Sequence, residues 1–331
     1  AQSPVMARGM NMEQSAARPD RAAFGIALIL SSVMAMAFCD AVVKLVSADL
    51  TVWQIFVTRA IVALPVMIAI MRQVGSGFRL HAPKWALTRT ALLVLNWLVF
   101  YASLPVLDLS VAAVALYTAP IMIALLSALL IGEPVTRRQW LGVLLGFIGV
   151  ITILRPGSDA FSWYILGPLL GAFLYALAMV LTRSKCQDEA PLALAISLQG
   201  MFLLTGLVAT GAITLIAPGQ EIRTAFPFLL GGWGTMGVRE WGLMALIGLL
   251  AGGYFTGVAK AYQIAPPSII ATFDYGYLVS AALWGFVFFT EQPDLLTVCG
   301  MVLITAAGLL VAAPKRRRTP AVIPAGEPGP R

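Results

Sequence analysis

Residues 130–142 read LIGEPVTRRQWLG, and a related stretch, FFTEQPDLLTVCG, follows at residues 288–300. In each stretch an apolar run ends at a glutamate, Glu133 or Glu291, and a second apolar run begins a few residues later. Shifting the chain on itself by 158 residues superposes the two glutamates, and the shift needs no gap from about residue 97 to 154. The sequence therefore contains an internal repeat, which indicates a duplicated structural unit.

The composition of the chain is that of a polytopic membrane protein rather than a soluble domain. Of its 331 residues, 60% are hydrophobic and 11% are charged, whereas soluble domains carry roughly 45–50% apolar and about 25% charged residues. A helix needs about 20 apolar residues to cross a bilayer. Runs near that length predict ten transmembrane helices, at residues 22–46, 52–71, 85–107, 110–131, 138–154, 162–183, 190–216, 240–262, 267–290 and 294–313.

The basic residues are distributed unequally between the two sides of the membrane in the predicted topology. Seventeen Lys and Arg residues fall on the side that holds both termini, and four fall on the other side. Cytoplasmic loops carry an excess of Lys and Arg, so we expect both termini in the cytoplasm. Five helices per repeat is an odd number, so the second copy is expected to enter the membrane from the opposite side. Inverted repeats of this kind are common in secondary transporters.

This topology predicts the places of the two glutamates and divides the chain into four parts. Glu133 is expected at the cytoplasmic edge and Glu291 at the outer edge, where each anchors a helix hairpin or, alternatively, contacts substrate. The predicted parts are a cytoplasmic N-terminal segment (1–21), a first repeat (22–154), an inverted second repeat (162–313) and a disordered, basic and Pro-rich cytoplasmic tail (314–331).

The two copies carry a family resemblance. The blocks YTAPIMIALLSALLIGEPVTRRQWLGVLLGFIGVITIL at 117–154 and DYGYLVSAALWGFVFFTEQPDLLTVCGMVLITAAGLLVA at 274–312 resemble the drug/metabolite transporter superfamily, specifically its EamA-type exporters. Within that family the chain is most similar to aromatic amino-acid exporters of the YddG type. The resemblance covers about residues 22–313 and implies ten helices, arranged as two inverted five-helix repeats around a central cavity. It also implies export of metabolites, often amino acids, across the bacterial inner membrane.

The chain lacks the residues that several classes of function require. The chain has one histidine, His81, and its three cysteines, Cys39, Cys186 and Cys299, are scattered, so we expect no metal site and no cofactor. No GxxxxGK[ST] loop for ATP occurs. The net charge of +7 reports loop topology rather than a nucleic-acid partner.

The sequence therefore favours a secondary transporter that is embedded in the bilayer, is not an enzyme and moves a small amphipathic metabolite. A monomer is a plausible state of this transporter. A phosphate-ester or nucleotide-sugar carrier of the same fold is an alternative, but it would need several cations in the cavity, and Lys44, Arg59 and Lys260 are available. An intramembrane aspartyl protease using Asp40 and Asp274 is a remote alternative, because the usual GxGD context is absent.

Polar, charged and aromatic side chains at membrane depth are the candidates for the substrate site, because such groups are costly in a bilayer. For a zwitterionic amino acid, Asp274 would accept from the ammonium group and Lys260 would donate to the carboxylate. Pro120 predicts a break in the fourth span. The candidate cavity residues are Asp40, Asn96, Trp97, Tyr101, Tyr117, Trp163, Tyr175, Gln199, Lys260, Asp274 and Tyr275.

Some of these residues also have a purely structural interpretation. Asp40 and Lys44 are four residues apart on one helix and are expected to neutralise each other. Arg59 is expected to be structural. Trp163 is either an interfacial belt residue or part of a lid.

Overall fold

The computed structural model describes residues 22–75, 77–131, 137–154, 162–265, 270 and 273–312 of the chain. Glu133, the N-terminal segment 1–21 and the tail 314–331 lie outside the described residues. Within the described ranges the regular structure is helical. The helices are α1 (Ala22–Val46), α2 (Val52–Gln73), α3 (Pro83–Ser103), α4 (Leu109–Leu116), α5 (Ala119–Ile131), α6 (Arg137–Leu154), a 3-10 turn (Trp163–Ile165), α7 (Leu166–Lys185), α8 (Pro191–Ile216), α9 (Gln220–Ala225), α10 (Pro227–Leu230), α11 (Val238–Ile264), α12 (Gly276–Phe289) and α13 (Leu295–Ala312).

The apolar helices lie where the sequence predicts membrane spans. Among the described residues, seven stretches are long and apolar enough to cross a membrane. Shorter apolar helices lie at the predicted fifth, ninth and tenth spans. The all-helical membrane architecture is therefore confirmed, whereas the count of ten crossings and the inverted relation of the halves stay predictions. The seven stretches are Ala23–Val46, Val52–Gln73, Pro83–Ser103, Val111–Leu130, Trp163–Lys185, Pro191–Ile216 and Val238–Ile264, and the shorter helices are Trp140–Gly149, Gly276–Phe289 and Leu295–Ala307.

The predicted fourth span is broken, as its proline indicates. Tyr117 and Thr118 separate α4 from α5, directly before Pro120. A proline has no N–H to donate to the preceding turn, so the helix is interrupted there. Tyr275, the counterpart of Tyr117 in the repeat, also lies at a helix end, just before α12. Both tyrosines are buried, so the two helix ends carry aromatic hydroxyls into the core.

The packing of the helices has an internal symmetry. α1 packs against α11 as α3 packs against α7, and α1 packs against α12 as α5 packs against α7. α6 packs against α13, and α2 packs against α8. Adding five to the predicted span number of each helix turns the pair α1–α11 into the pair α7–α3 and the pair α1–α12 into the pair α7–α5. The same operation turns the pairs α6–α13 and α2–α8 into themselves. This exchange supports the prediction that the two halves are related by a pseudo-two-fold axis.

α2 and α11 approach closely at Arg59. A Cβ atom added to Gly248 of α11 would lie 2.6 Å from the carbonyl oxygen of Arg59. Small residues allow such close approach between membrane helices. The contact holds the Arg59 backbone against α11 in the interior of the bundle.

Residues 217–237, which lie between α8 and α11, fold against the first turn of α2. Trp53 donates its indole N–H to the carbonyl of Leu229 at 2.7 Å. The side chain of Gln54 donates to the carbonyl of Gly234 at 2.8 Å and accepts from its N–H at 2.9 Å. These bonds fix the short helices α9 and α10 over one end of the bundle.

Candidate substrate-binding site

Asp40 of α1 is a fully buried carboxylate in the centre of the bundle. Tyr101 of α3 donates its hydroxyl to Oδ1 at 3.0 Å, and Tyr277 of α12 donates to Oδ2 at 2.6 Å. A carboxylate is stable in an apolar interior only when it is well hydrogen-bonded. The expected neutralisation of Asp40 by Lys44 is wrong, because Lys44 instead forms an ion pair with Glu291.

Asp274 is a second buried carboxylate, and it precedes α12. Its oxygens accept from Tyr117 at 3.4 Å, from Tyr175 at 3.3 Å and from Tyr262 at 3.0 Å. Tyrosine suits this place because its ring packs against apolar side chains and its hydroxyl donates to the acid. Lys260, which we expected to act together with Asp274, makes no hydrogen bond or ion pair with Asp274 in the described structure.

The two carboxylates belong to one network. The rings of Tyr117 and Tyr277 stack, with centroids 4.6 Å apart and planes inclined by 16°. Tyr117 binds Asp274 and Tyr277 binds Asp40, so the stacked pair connects the two acids. We call this group the central tyrosine network, and its members are Asp40, Tyr101, Tyr277, Tyr117, Asp274, Tyr175 and Tyr262.

Arg59 of α2 joins the network at its Asp40 end. Its Nη1 atom donates to the Tyr101 hydroxyl at 3.3 Å. The guanidinium carbon lies 4.2 Å from the ring centre of Phe202 and 5.3 Å from that of Phe56. Only 1% of the Arg59 surface is exposed. None of the described carboxylates forms an ion pair with it.

A small cavity lies beside the network, with a volume of about 10 Å³. Met36, Asn96, Trp97, Tyr117 and Tyr175 line it, together with two small apolar neighbours. A volume of this size holds about one water molecule. Within the described residues, this cavity is therefore too small for an organic solute in this conformation.

A larger cavity of about 470 Å³ opens near Lys44, and we call it the Lys44 vestibule. Ser47, Val106 and Phe289 are among its lining residues. Lys44 follows Asp40 by one turn of α1, which places it about 6 Å further along the helix axis. The charge distribution predicts that this end of the bundle faces outward. The vestibule therefore approaches the central tyrosine network from the predicted outer side.

Glu291 fixes the turn between α12 and α13 to the vestibule. Its Oε1 atom pairs with Lys44, and its Oε2 atom accepts from the N–H of Leu109, the first residue of α4, at 2.9 Å. Lys44 also donates to the carbonyl of Leu107 at 2.8 Å. The glutamate thus anchors helix ends, as one of its two predicted interpretations requires.

The first half of the chain matches a family model. Residues 23–155 match the EamA-like transporter family. This part of the chain is similar to the EamA-like transporter family. The match covers the helices that supply Asp40, Arg59, Tyr101 and Tyr117, and the family consists of membrane transporters rather than enzymes.

Curated relatives extend the likeness over almost the whole chain. It is 26% identical over 295 residues to a pseudopaline exporter of Pseudomonas aeruginosa, covering 88% of this chain and 97% of the relative. It is 27% identical over 324 residues to a riboflavin transporter of Rhizobium johnstonii, covering 94% and 98%. It is 22% identical over 291 residues to an S-adenosylmethionine uptake transporter of Rickettsia prowazekii, covering 87% and 92%. None of these three names indicates an aromatic amino acid, and the names include both export and uptake.

One solved crystal structure shares the fold of this chain, with a TM-score of 0.60. It is 17% identical and covers 88% of this chain and 97% of that chain.

The structure brings most of the predicted cavity residues together. Five of them belong to the central tyrosine network, and Asn96 and Trp97 line the small cavity beside it. The ring of Tyr275 lies 6.2 Å from that of Tyr117. The five network members that the sequence predicts are Asp40, Tyr101, Tyr117, Tyr175 and Asp274.

Three predicted residues lie apart from this group. Trp163 is 73% exposed, at the start of the helix that leads into α7, as the belt interpretation requires. Lys260 is half-buried on α11. Gln199 is fully buried on α8, and within the described structure neither of its amide atoms has a hydrogen-bond partner.

Sequence reasoning missed Tyr262 and Tyr277 as donors and assigned Arg59 a structural role only. Tyr277 lies three residues after Asp274, in the aromatic stretch that follows this acid. That position could have marked Tyr277 as a candidate site residue. The donor role of Tyr262 has no comparable signal, because the sequence does not reveal that α11 and Asp274 meet.

The two buried acids are not arranged for proteolysis. A protease of that kind needs two carboxylates that face each other across one water molecule. Here each acid is bound by its own tyrosines, and the stacked Tyr117 and Tyr277 rings lie between Asp40 and Asp274.

Proposed function

We propose that this chain is a secondary transporter of the bacterial inner membrane, with both termini in the cytoplasm. It exports small amphipathic metabolites by alternating access, and aromatic amino acids are its preferred substrates. The observation that carries the proposal is the central tyrosine network, which residues of both predicted halves build together. A site between two halves can open to either side of the membrane when one half rocks against the other.

The chemistry of the network suits an aromatic amino acid. Tyrosine rings provide flat apolar surface that contacts and stacks on an aromatic side chain. The carboxylates Asp40 and Asp274 provide acceptors for an ammonium group. The small volume at the centre supports a closed intermediate of the transport cycle, with the Lys44 vestibule as the exit pathway.

A carrier for phosphate esters is less well supported. Such a substrate carries two negative charges and needs several cations in the cavity. Among the described residues, Arg59 is the one cation that hydrogen bonds to the network, and two carboxylates lie in the same network.

The proposal is tested with the purified protein in liposomes that are loaded with a labelled panel. The panel contains phenylalanine, tryptophan, leucine, riboflavin, S-adenosylmethionine and a sugar phosphate, and protein-free liposomes serve as the control. We expect efflux of phenylalanine and tryptophan to exceed that of the others. Efflux of the sugar phosphate or of riboflavin, with none of an aromatic amino acid, would assign the chain to another substrate class.

The variant Asp274→Asn tests the part that the acids play. It keeps the shape of the side chain and removes its charge. We expect strongly reduced efflux of aromatic amino acids with unchanged amounts of protein in the membrane. Unchanged efflux would remove Asp274 from the mechanism.

A further inference from the structure

The guanidinium group of Arg59 is a buried cation with unused donors. Among the described residues, its Nε and Nη2 atoms have no hydrogen-bond partner, and no carboxylate forms an ion pair with it. Buried N–H donors without acceptors are costly. Each unsatisfied buried polar atom in a native protein calls for an explanation, and contact with a ligand is one such explanation.

The two unused nitrogens form one edge of the planar group. The Nη1 atom is occupied by the Tyr101 hydroxyl at 3.3 Å. The Phe202 ring lies 4.2 Å from the guanidinium carbon. The edge formed by Nε–H and Nη2–H remains, and two parallel N–H groups of this kind bind a carboxylate in a bidentate manner.

We propose that this edge of Arg59 binds the carboxylate of the transported solute. The proposal rests on the proposed transport function and names the chemical class of its substrate. The indole N–H of Trp97, which is also buried and has no partner among the described residues, is a further donor on the same side of the network. Trp97 contacts the Tyr101 ring, with centroids 5.2 Å apart.

The charges of Arg59 and Asp40 favour a ligand with a single negatively charged group at this place. One guanidinium balances one negative charge, and Asp40 lies on the far side of the Tyr101 hydroxyl, which bonds to both groups. A dianionic phosphate would therefore meet net negative repulsion. An α-amino acid carries its ammonium and carboxylate groups on one carbon, so Asp40 and Arg59 can bind the two groups from either side of Tyr101. This pair replaces the expected pair of Asp274 and Lys260 as the zwitterion site.

The binding test uses the full-length protein in detergent, and it reads stabilisation against thermal unfolding. The probes are 3-phenylpropionate and phenylalanine, each paired with its carboxamide. We expect each acid to bind about tenfold or more tightly than its amide, because charge-assisted hydrogen bonds are lost in the amide. Equal stabilisation by acid and amide would overturn the proposal without any mutation.

The variant Arg59→Gln should abolish this preference for acids, and Arg59→Lys should retain part of it, because lysine keeps the charge but not the planar edge. The matched control is Arg89→Gln, which removes another buried arginine, one that bonds to Thr182 outside the network. Arg89→Gln should keep the preference of the wild type. If Arg59→Gln keeps it as well, the proposal is wrong.

The two proposals fail in different ways. If the wild type binds the acids in preference to their amides but moves no aromatic amino acid in liposomes, the proposed function is wrong and the Arg59 site stands. If the wild type moves phenylalanine and phenylalaninamide equally well, the Arg59 site is wrong and the transport function stands.

Discussion

The hydroxyl of Tyr277 connects α12 to Asp40 at 2.6 Å, while its ring stacks on Tyr117. The side chain is fully buried, as is the carboxylate that it binds. One atom therefore carries a charge-assisted hydrogen bond and can be removed without loss of the stack. This arrangement separates the contribution of the bond from that of the packing.

The change Tyr277→Phe should lower the free energy of unfolding by about 1–2 kcal/mol, a range typical of buried hydrogen bonds within and outside membranes. The matched control is Tyr275→Phe, since the buried Tyr275 hydroxyl has no partner among the described residues. Thermal unfolding in detergent measures both. Equal losses in the two variants would mean that the bond to Asp40 contributes nothing.

Individual residues also mark the limit of what the sequence reveals about the site. The depth of Asp40 and Asp274 in the membrane follows from hydropathy, so both were predicted. Their partners depend on which helices meet, and a single sequence does not contain that information. The expected pair of Asp40 and Lys44 used a local rule, but the tertiary structure offers Lys44 the more favourable position beside Glu291.

Whole helices were easier to predict than their contacts, because length and apolarity determine them directly. Pro120 also revealed the break between α4 and α5. The short helices α9 and α10 were not predicted, since they have only six and four residues and tertiary bonds such as that of Trp53 with Leu229 hold them. The pairing of α2 with α11 was equally hidden.

Two glycines of α11 provide a test of that packing. Gly248→Ala would place a methyl group 2.6 Å from the Arg59 carbonyl oxygen, so the two helices must move apart. Gly253→Ala meets nothing within 4 Å, and it should be neutral or stabilising by up to about 1 kcal/mol, since alanine favours the helix. We expect Gly248→Ala alone to lower the melting temperature and to weaken substrate binding. Similar melting temperatures for the two variants would contradict the close approach.

The turn between α12 and α13 depends on Glu291. Glu291→Gln keeps an acceptor for the Leu109 N–H but leaves Lys44 without its counter-ion, and both side chains of the pair are largely buried. We expect a loss of about 1–3 kcal/mol in the free energy of unfolding. The exposed Glu221→Gln on α9 is the control and should have no effect. A stable Glu291→Gln protein would remove the anchoring role from this glutamate.

At the level of the whole molecule, the Lys44 vestibule and the small cavity beside the network are the two spaces that the proposed alternating-access mechanism would connect. The vestibule has a volume of about 470 Å³, which is within the range of small-molecule sites, whereas the cavity at the network has about 10 Å³. One turn of α1 separates Lys44 from Asp40. A modest rearrangement around the Lys44–Glu291 pair would therefore connect the two spaces.

Labelling of single cysteines in intact cells can test whether the two spaces connect. The background is Cys299→Ser, because Cys299 is exposed whereas Cys39 and Cys186 are buried. A membrane-impermeant thiol reagent added outside should label Ser47→Cys in the vestibule readily. It should label Asn96→Cys at the central cavity slowly, because that site is reached only when the centre opens.

The effect of added substrate on labelling distinguishes a transport pathway from ordinary surface exposure. Added phenylalanine should slow the labelling of Asn96→Cys, since the solute occupies the space that the reagent must enter, and it should leave Ser47→Cys almost unchanged. Labelling of Ser47→Cys from the cytoplasmic side alone would reverse the predicted orientation of the chain. Complete inertness of Asn96→Cys, with and without substrate, would place the network in permanently packed protein and exclude it as part of the transport pathway.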